Sequence, residues 1–263
     1  MNLPTPTPLT GSPQVVVSPD RARMGERAAG HVVERLREIL EAQPIARVMF
    51  ACAPSQDEFL RSLVAHSRKV IEWSRVVAFH MDEYVGLQAS HAASFRRYLQ
   101  THLLDVLPLL AAFEPIRGEA TNSDHEVARY AALLDTAPLD LICLGIGENG
   151  HIAFNDPPVA DFSDHRAVKL VELDGLCRQQ QVNDGCFETL ATVPTHALTV
   201  TIPVFRRARQ LSVVVPGPRK AAAVRATLKD PVSTDCPATI LRTHPNTVLF
   251  LDRDSAPPTE LTG

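Results

Sequence analysis

The sequence holds no apolar run approaching the length of a bilayer span, so no segment is expected to cross a membrane. Its first twenty residues lack the basic and apolar regions of a secretory leader. The five cysteines (Cys52, Cys143, Cys177, Cys186 and Cys236) are odd in number, scattered, and never spaced C-x-x-C. That spacing argues against a disulfide framework or a thiolate metal site, and for reduced, packing thiols in a cytoplasmic protein. No histidine stands four residues from His151, and no G-x-S-x-G occurs, so neither a helical zinc pair nor a nucleophile elbow is expected. With a net charge of −4, a pI near 6.2 and dispersed arginines, the chain carries no basic footprint for nucleic acid.

Glycine is also sparse, at 12 of 263 residues, yet Gly145, Gly147 and Gly150 fall within six positions. They follow Leu139 to Leu144, an apolar run too short for a typical helix and read as a buried strand of a parallel sheet. The loop then carries Glu148, Asn149, His151, Asn155 and Asp156. In an open α/β sheet, ligands bind beyond the carboxyl ends of strands, which gives this polar cluster a physical reason to be chemical.

Proline- and threonine-rich residues 1–13 read as a mobile tail, 14–253 as a single α/β domain, and 254–263 as a frayed end. Val15 to Val17 suggests a short strand, and Ser18-Pro19-Asp20 an N-cap leading a helix to about Ala42. Strands are expected at Arg47 to Cys52, Val76 to His80, Phe113 to Arg117, Ala167 to Leu173, Ala197 to Ile202, Leu211 to Val215 and Thr247 to Leu251. Helices are expected at Asp57 to Ser67, Ser94 to Val106, from a cap at Ser123, and at Lys220 to Leu228. Residues 174–194 fit a polar lid or a short helix equally well. The alternation argues a mostly parallel, doubly wound sheet with helices on both faces.

Asp82 and Glu83 end one strand, and adjacent carboxylates there point opposite ways, so one of them faces the crevice. The turn Ala53-Pro54-Ser55-Gln56 occupies a place where such folds often hold phosphate on backbone amides, but it lacks glycine and Pro54 has no N–H. Lys220 opens a helix, where the dipole favours acids; an anionic ligand would remove that conflict. Base, imidazole and cation together fit proton transfer on a phosphorylated or acidic small molecule.

Three stretches carry a resemblance: Phe79-His80-Met81-Asp82-Glu83-Tyr84-Val85-Gly86-Leu87, Gly145 to Pro157, and Pro194-Thr195-His196-Ala197-Leu198-Thr199-Val200. In these the chain resembles the glucosamine-6-phosphate deaminase family, through Gly217 to Lys220 and Cys236 to Leu241. The resemblance implies a Rossmann-like fold, no metal or organic cofactor, a phosphorylated amino sugar as substrate, and a homo-oligomer by family precedent. It implies Asp82 as the base that moves a proton from C2 to C1, with His151 assisting ring opening beside Asn149 and Asp156. Ser55, Glu83, Gly147, Gly150 and Lys220 are the expected substrate contacts, with Arg178 a candidate for a phosphate-binding arginine. The chain departs from the family at the phosphate turn, at Asn149, where a carboxylate is common, and at Asp156, where glutamate is usual. Two alternatives are a 6-phosphogluconolactonase-type hydrolase and a non-catalytic sugar-phosphate-binding regulator. Lactonases usually read Gly-His-Thr-Ala-Ser where this chain has Gly-His-Ile-Ala-Phe-Asn.

Overall fold

The computed structural model describes residues 13–258; all but Pro13 of the expected N-terminal tail lies outside that range, as do residues 259–263. Ten strands follow in chain order: β1 (Gln14–Ser18), β2 (Ala46–Phe50), β3 (Val76–His80), β4 (Asp82–Tyr84), β5 (Ala112–Glu114), β6 (Leu141–Leu144), β7 (Val168–Glu172), β8 (His196–Val200), β9 (Leu211–Val215) and β10 (Thr247–Asp252). Seven form a wholly parallel sheet in the order β1-β10-β9-β6-β2-β3-β5. From β2 the chain steps outward through β3 to β5, then returns to place β6 on the other side of β2. The crevice beyond the ends of β2 and β6 is therefore the topological switch point, where such sheets bind ligands.

Seven helices cover the sheet: α1 (Arg21–Ala42), α2 (Asp57–Ser67), α3 (Phe95–Leu99), α4 (Ser123–Asp135), α5 (Gly175–Asn183), α6 (Ile202–Arg207) and α7 (Ala221–Lys229). Strand alternation explains why both faces need cover. Val48 and Phe50 pack with Met24, Leu36 and Leu60 of α1 and α2, whereas Met49 between them packs on the opposite side with Tyr130 of α4, Phe205 of α6 and Val224 of α7. Full burial of each large apolar side chain contributes roughly 1.5–3 kcal/mol.

The strands expected at Ala167 to Leu173 and Ala197 to Ile202 form, but they leave the main sheet. They are β7 and β8, which pair antiparallel with each other and with β4. An apolar run declares a strand without declaring its partner. The helix expected over Ser94 to Val106 is broken: α3 gives way at Gln100–Leu104 to a π-helical turn. Residues 254–258 are not wholly frayed, because the Asp252 carboxylate accepts the Ser255 N–H at 2.8 Å, and Ser255 and Ala256 are buried.

The cap of α1 also moves. Ser18 is the last residue of β1, paired with Asp252, so Asp20 caps instead and accepts the Arg23 N–H at 2.8 Å. Replacing Asp20 by alanine should lower stability to urea by about 1 kcal/mol. Ser18→Ala should be neutral or slightly stabilising, since the buried Ser18 hydroxyl has no partner. Equal losses in the two variants would contradict this assignment.

Candidate active site

Asp82 and Glu83 point opposite ways, and only Asp82 lines the crevice. Glu83 is fully buried and turns to the segment that opens α3. It accepts from the Ser94 hydroxyl at 2.8 Å, the Phe95 N–H at 3.2 Å and the Arg96 N–H at 3.1 Å, and pairs with the Arg96 guanidinium at 3.2 Å. The structure thus turns Glu83 away from the crevice, as the anchor of the loop between β4 and α3. Asp82 has no such partners: no hydrogen bond or ion pair reaches its carboxylate among the described residues. Burial, and then the nearby charges of Glu83 and Asp156, hold its pKa well above the usual carboxylate range.

The glycine-rich loop leaves β6 and folds back on itself. An added Cβ on Gly147 would overlap the His151 ring, so glycine here lets the imidazole lie against the backbone. Gly150 takes φ +85° with its Cα against Cys236, outside the crevice lining. Ala153, on the crevice wall, is the one non-glycine residue with positive φ among those described, at 50°. The loop is pinned to β8: Thr199 Oγ1 accepts the Phe154 N–H at 3.0 Å, and the Asn155 amide donates to the carbonyls of Val200 at 2.8 Å and Ile152 at 2.9 Å. That is the structural reason the Pro194 to Val200 stretch travels with the loop.

His151 is positioned from behind. Its Nδ1 lies 2.8 Å from Asp156 Oδ1, in a contact bent away from a linear hydrogen bond. Asn149 donates to the same oxygen at 2.8 Å and accepts the His151 N–H at 3.1 Å. Asn149 and Asp156 therefore orient the imidazole without lining the crevice themselves. Burial would raise the Asp156 pKa, but the His151 charge and the polar groups around the carboxylate outweigh it and hold the pKa below the ordinary value.

At the far end, Ser55 and Lys220 share the crevice wall. Pro54–Gln56 is one 3-10 turn leading into α2, closed by the Gln56 N–H on the Ala53 carbonyl at 2.8 Å. The Gln56 amide bridges to the Val214 carbonyl at 3.2 Å, tying this turn to β9. Lys220 ends a second 3-10 turn that begins after Gly217, whose N–H donates to both Asp252 oxygens at 3.0 Å. Desolvation lowers the Lys220 pKa despite the opposing influence of Asp184 and Glu148, which are themselves paired with Arg219. Arg178 is not brought to this end: its guanidinium donates to the carbonyls of Leu190 and Val193, at 2.7 and 3.0 Å.

What the sequence concealed is α5. Cys177, Gln180, Gln181 and Asp184 recur at i, i+3, i+4 and i+7, one helix face, and that face closes the site. Gln180 Oε1 accepts the Glu148 N–H at 3.0 Å, Gln181 Oε1 accepts the Tyr84 hydroxyl at 2.7 Å, and Asp184 pairs with Arg219 at 2.7 Å. Each contact reaches a different loop of the crevice. Polar spacing was the available signal, without an apolar stripe to support it.

A switch-point crevice with an unpaired buried acid, a braced imidazole and a buried lysine defines a protein built for proton transfer on a small anionic ligand. The family described as glucosamine-6-phosphate isomerases/6-phosphogluconolactonase matches residues 19–250, and the chain belongs to it. It is 36% identical over 186 residues to a glucosamine-6-phosphate deaminase of Exiguobacterium sibiricum, covering 71% of each chain. A Bacillus cytotoxicus protein of the same description is 38% identical over 185 residues, 70% of this chain and 68% of the relative. The solved structure of a monomeric glucosamine-6-phosphate deaminase superposes with a TM-score of 0.85 at 26% identity, covering 92% of this chain and 98% of that one. A 6-phosphogluconolactonase structure from Shewanella baltica, at 18% identity and a TM-score of 0.73, covers 92% of this chain and 98% of that one and shares the fold.

Glu83→Ala should cost about 3–5 kcal/mol, read as a lower urea midpoint, because it strips the Ser94 hydroxyl and the Tyr84, Phe95 and Arg96 N–H groups of their acceptor and leaves Arg96 with Glu119 alone. A raised KM at unchanged stability would instead place Glu83 on the substrate.

Proposed function

We propose that the chain converts glucosamine 6-phosphate and water to fructose 6-phosphate and ammonia. The observation that carries this reading is that Asp82, His151 and Lys220 line one crevice in a chain of this family. In the reaction, His151 assists ring opening by carrying a proton from the anomeric hydroxyl to the ring oxygen as the bond between C1 and that oxygen breaks. Asp82 takes the proton from C2 of the opened sugar and returns it to C1, which leaves an imine at C2; water adds to that carbon and ammonia leaves. A raised carboxylate pKa suits the base, since proton transfer is efficient when the catalytic pKa lies near the working pH. Lys220 and Ser55 would hold the phosphate, with the neutral amides of Gln180 and Gln181 nearby in place of a second cation. Every group named lies on one chain, so the chemistry does not require the homo-oligomer expected from family precedent.

Purified protein incubated with glucosamine 6-phosphate should release ammonia and fructose 6-phosphate in equal amounts, and His151→Ala should lose both. Faster hydrolysis of a phosphogluconolactone would favour the lactonase alternative. Saturable binding with no product would favour the regulator.

Asp82→Asn should lower kcat on the order of 10²–10⁴-fold. The variant should be at least as stable as the parent above neutral pH. A carboxyl whose pKa is raised by folding contributes stability while protonated and loses it as pH rises through the folded value. The same shift sets the acid limb of the wild-type kcat profile above the ordinary carboxylate range, because Asp82 must be ionised to act. An acid limb near pH 4 would contradict the assignment.

A further inference from the structure

We infer that Cys177 is a positioning residue for His151: its thiol donates a hydrogen bond to the Asp156 carboxylate and fixes that carboxylate against the imidazole. The inference rests on the role proposed for His151. The Cys177 sulfur, a ring nitrogen of His151 and a carboxylate oxygen of Asp156 lie within 4.8 Å of one another, and all three residues are buried. Asp174 caps α5 by accepting the Cys177 N–H at 2.6 Å, which fixes the start of the helix, and Cys177 is left 1% exposed. The other side-chain contacts to Asp156, from Asn149 and His151, both fall on Oδ1. Oδ2 is the oxygen that neither of them occupies, and the thiol stands within reach of this carboxylate.

Three roles are open to a thiol here. A nucleophile would need to be a thiolate, yet burial and the neighbouring Asp156 charge hold this group protonated. A metal ligand would also have to lose its proton, and a metal among the three groups would replace the His151–Asp156 contact. Donation to Asp156 requires neither change. It also explains why a cysteine opens the polar face of α5: the thiol couples that helix to the imidazole, as Gln180 and Gln181 couple it to the loops carrying Glu148 and Tyr84.

The test compares Cys177→Ala and Cys177→Ser in the full chain, by pH profiles of kcat and KM. Alanine should lower kcat about five- to tenfold, as expected for loss of a buried hydrogen bond, with KM within about twofold of wild type. The Asp156 titration should move to higher pH, because Asp156 without the donor binds its proton sooner, while the acid limb set by Asp82 stays in place. Serine, which keeps a donor, should restore both. If alanine leaves a cavity that unfolds the chain, Cys177→Val against Cys177→Ser supplies the same contrast. Carboxyl ¹³C shifts of Asp156, assigned with Asp156→Asn, read the titration without turnover. That readout survives even if the deaminase reading fails. Wild-type kcat and an unmoved Asp156 titration in alanine would overturn the proposal. So would one equivalent of zinc retained by the purified protein and lost in Cys177→Ser.

Discussion

Buried carboxylates must find partners or give up their charge, and three of them at the strand ends of this protein meet that constraint in different ways. Glu83 is surrounded by donors from the start of α3, and Asp156 is held by His151 and Asn149. Asp82, next to one and electrostatically coupled to both, is left without a donor. The fold accepts that cost at one position because Glu83 anchors the loop on one side and the glycine-rich loop is pinned to β8 on the other. The unpaired acid is thereby held still while its proton affinity is raised, which is what a base near neutral pH requires.

Charge is handled differently at the Lys220 end of the crevice. Lys220 sits buried where desolvation disfavours its positive form, and the nearby acids are already engaged by Arg219. An anion entering beside Ser55 would restore what Lys220 loses on burial, so binding and charge are coupled there. The turn at Pro54, which lacks glycine and one N–H, is tied to its neighbours by side-chain hydrogen bonds. Arg21 donates to the Pro54 carbonyl, the Tyr98 hydroxyl to the Ala53 carbonyl and the Asp57 carboxylate, and Gln56 reaches β9.

Much of this arrangement was legible in the sequence, because strand-end chemistry declares itself: an apolar run followed by Asp82, another followed by three glycines and His151, and a third followed by Gly217 and Lys220. Period-2 alternation set Asp82 and Glu83 pointing opposite ways, but did not say which of them faces the crevice, and Glu83 was still expected at the substrate. It could not say what Glu83 meets, since Ser94 and Arg96 reach it through a loop. Nor could it separate β7 and β8 from the main sheet, since strand runs carry no pairing address. The helix α5 was opaque for a physical reason: it buries polar groups against other polar groups, so the apolar stripe that normally marks a helix face is missing. Arg178 drew notice as a cation, but the helix turns it toward the carbonyls of Leu190 and Val193.

The central claim is that the unpaired Asp82 exchanges a proton with C2 of the opened amino sugar. The most direct measurement is solvent deuterium exchange at that carbon, followed by NMR on glucosamine 6-phosphate during turnover and compared between wild type and Asp82→Asn at matched substrate occupancy. The account predicts that in the wild type C1 of the fructose 6-phosphate carries the C2 hydrogen, with deuterium in the fraction of turnovers in which protonated Asp82 exchanges with solvent, and that the variant shows neither transfer nor exchange at C2. Exchange at the wild-type rate in Asp82→Asn would assign the base to another residue and contradict the account.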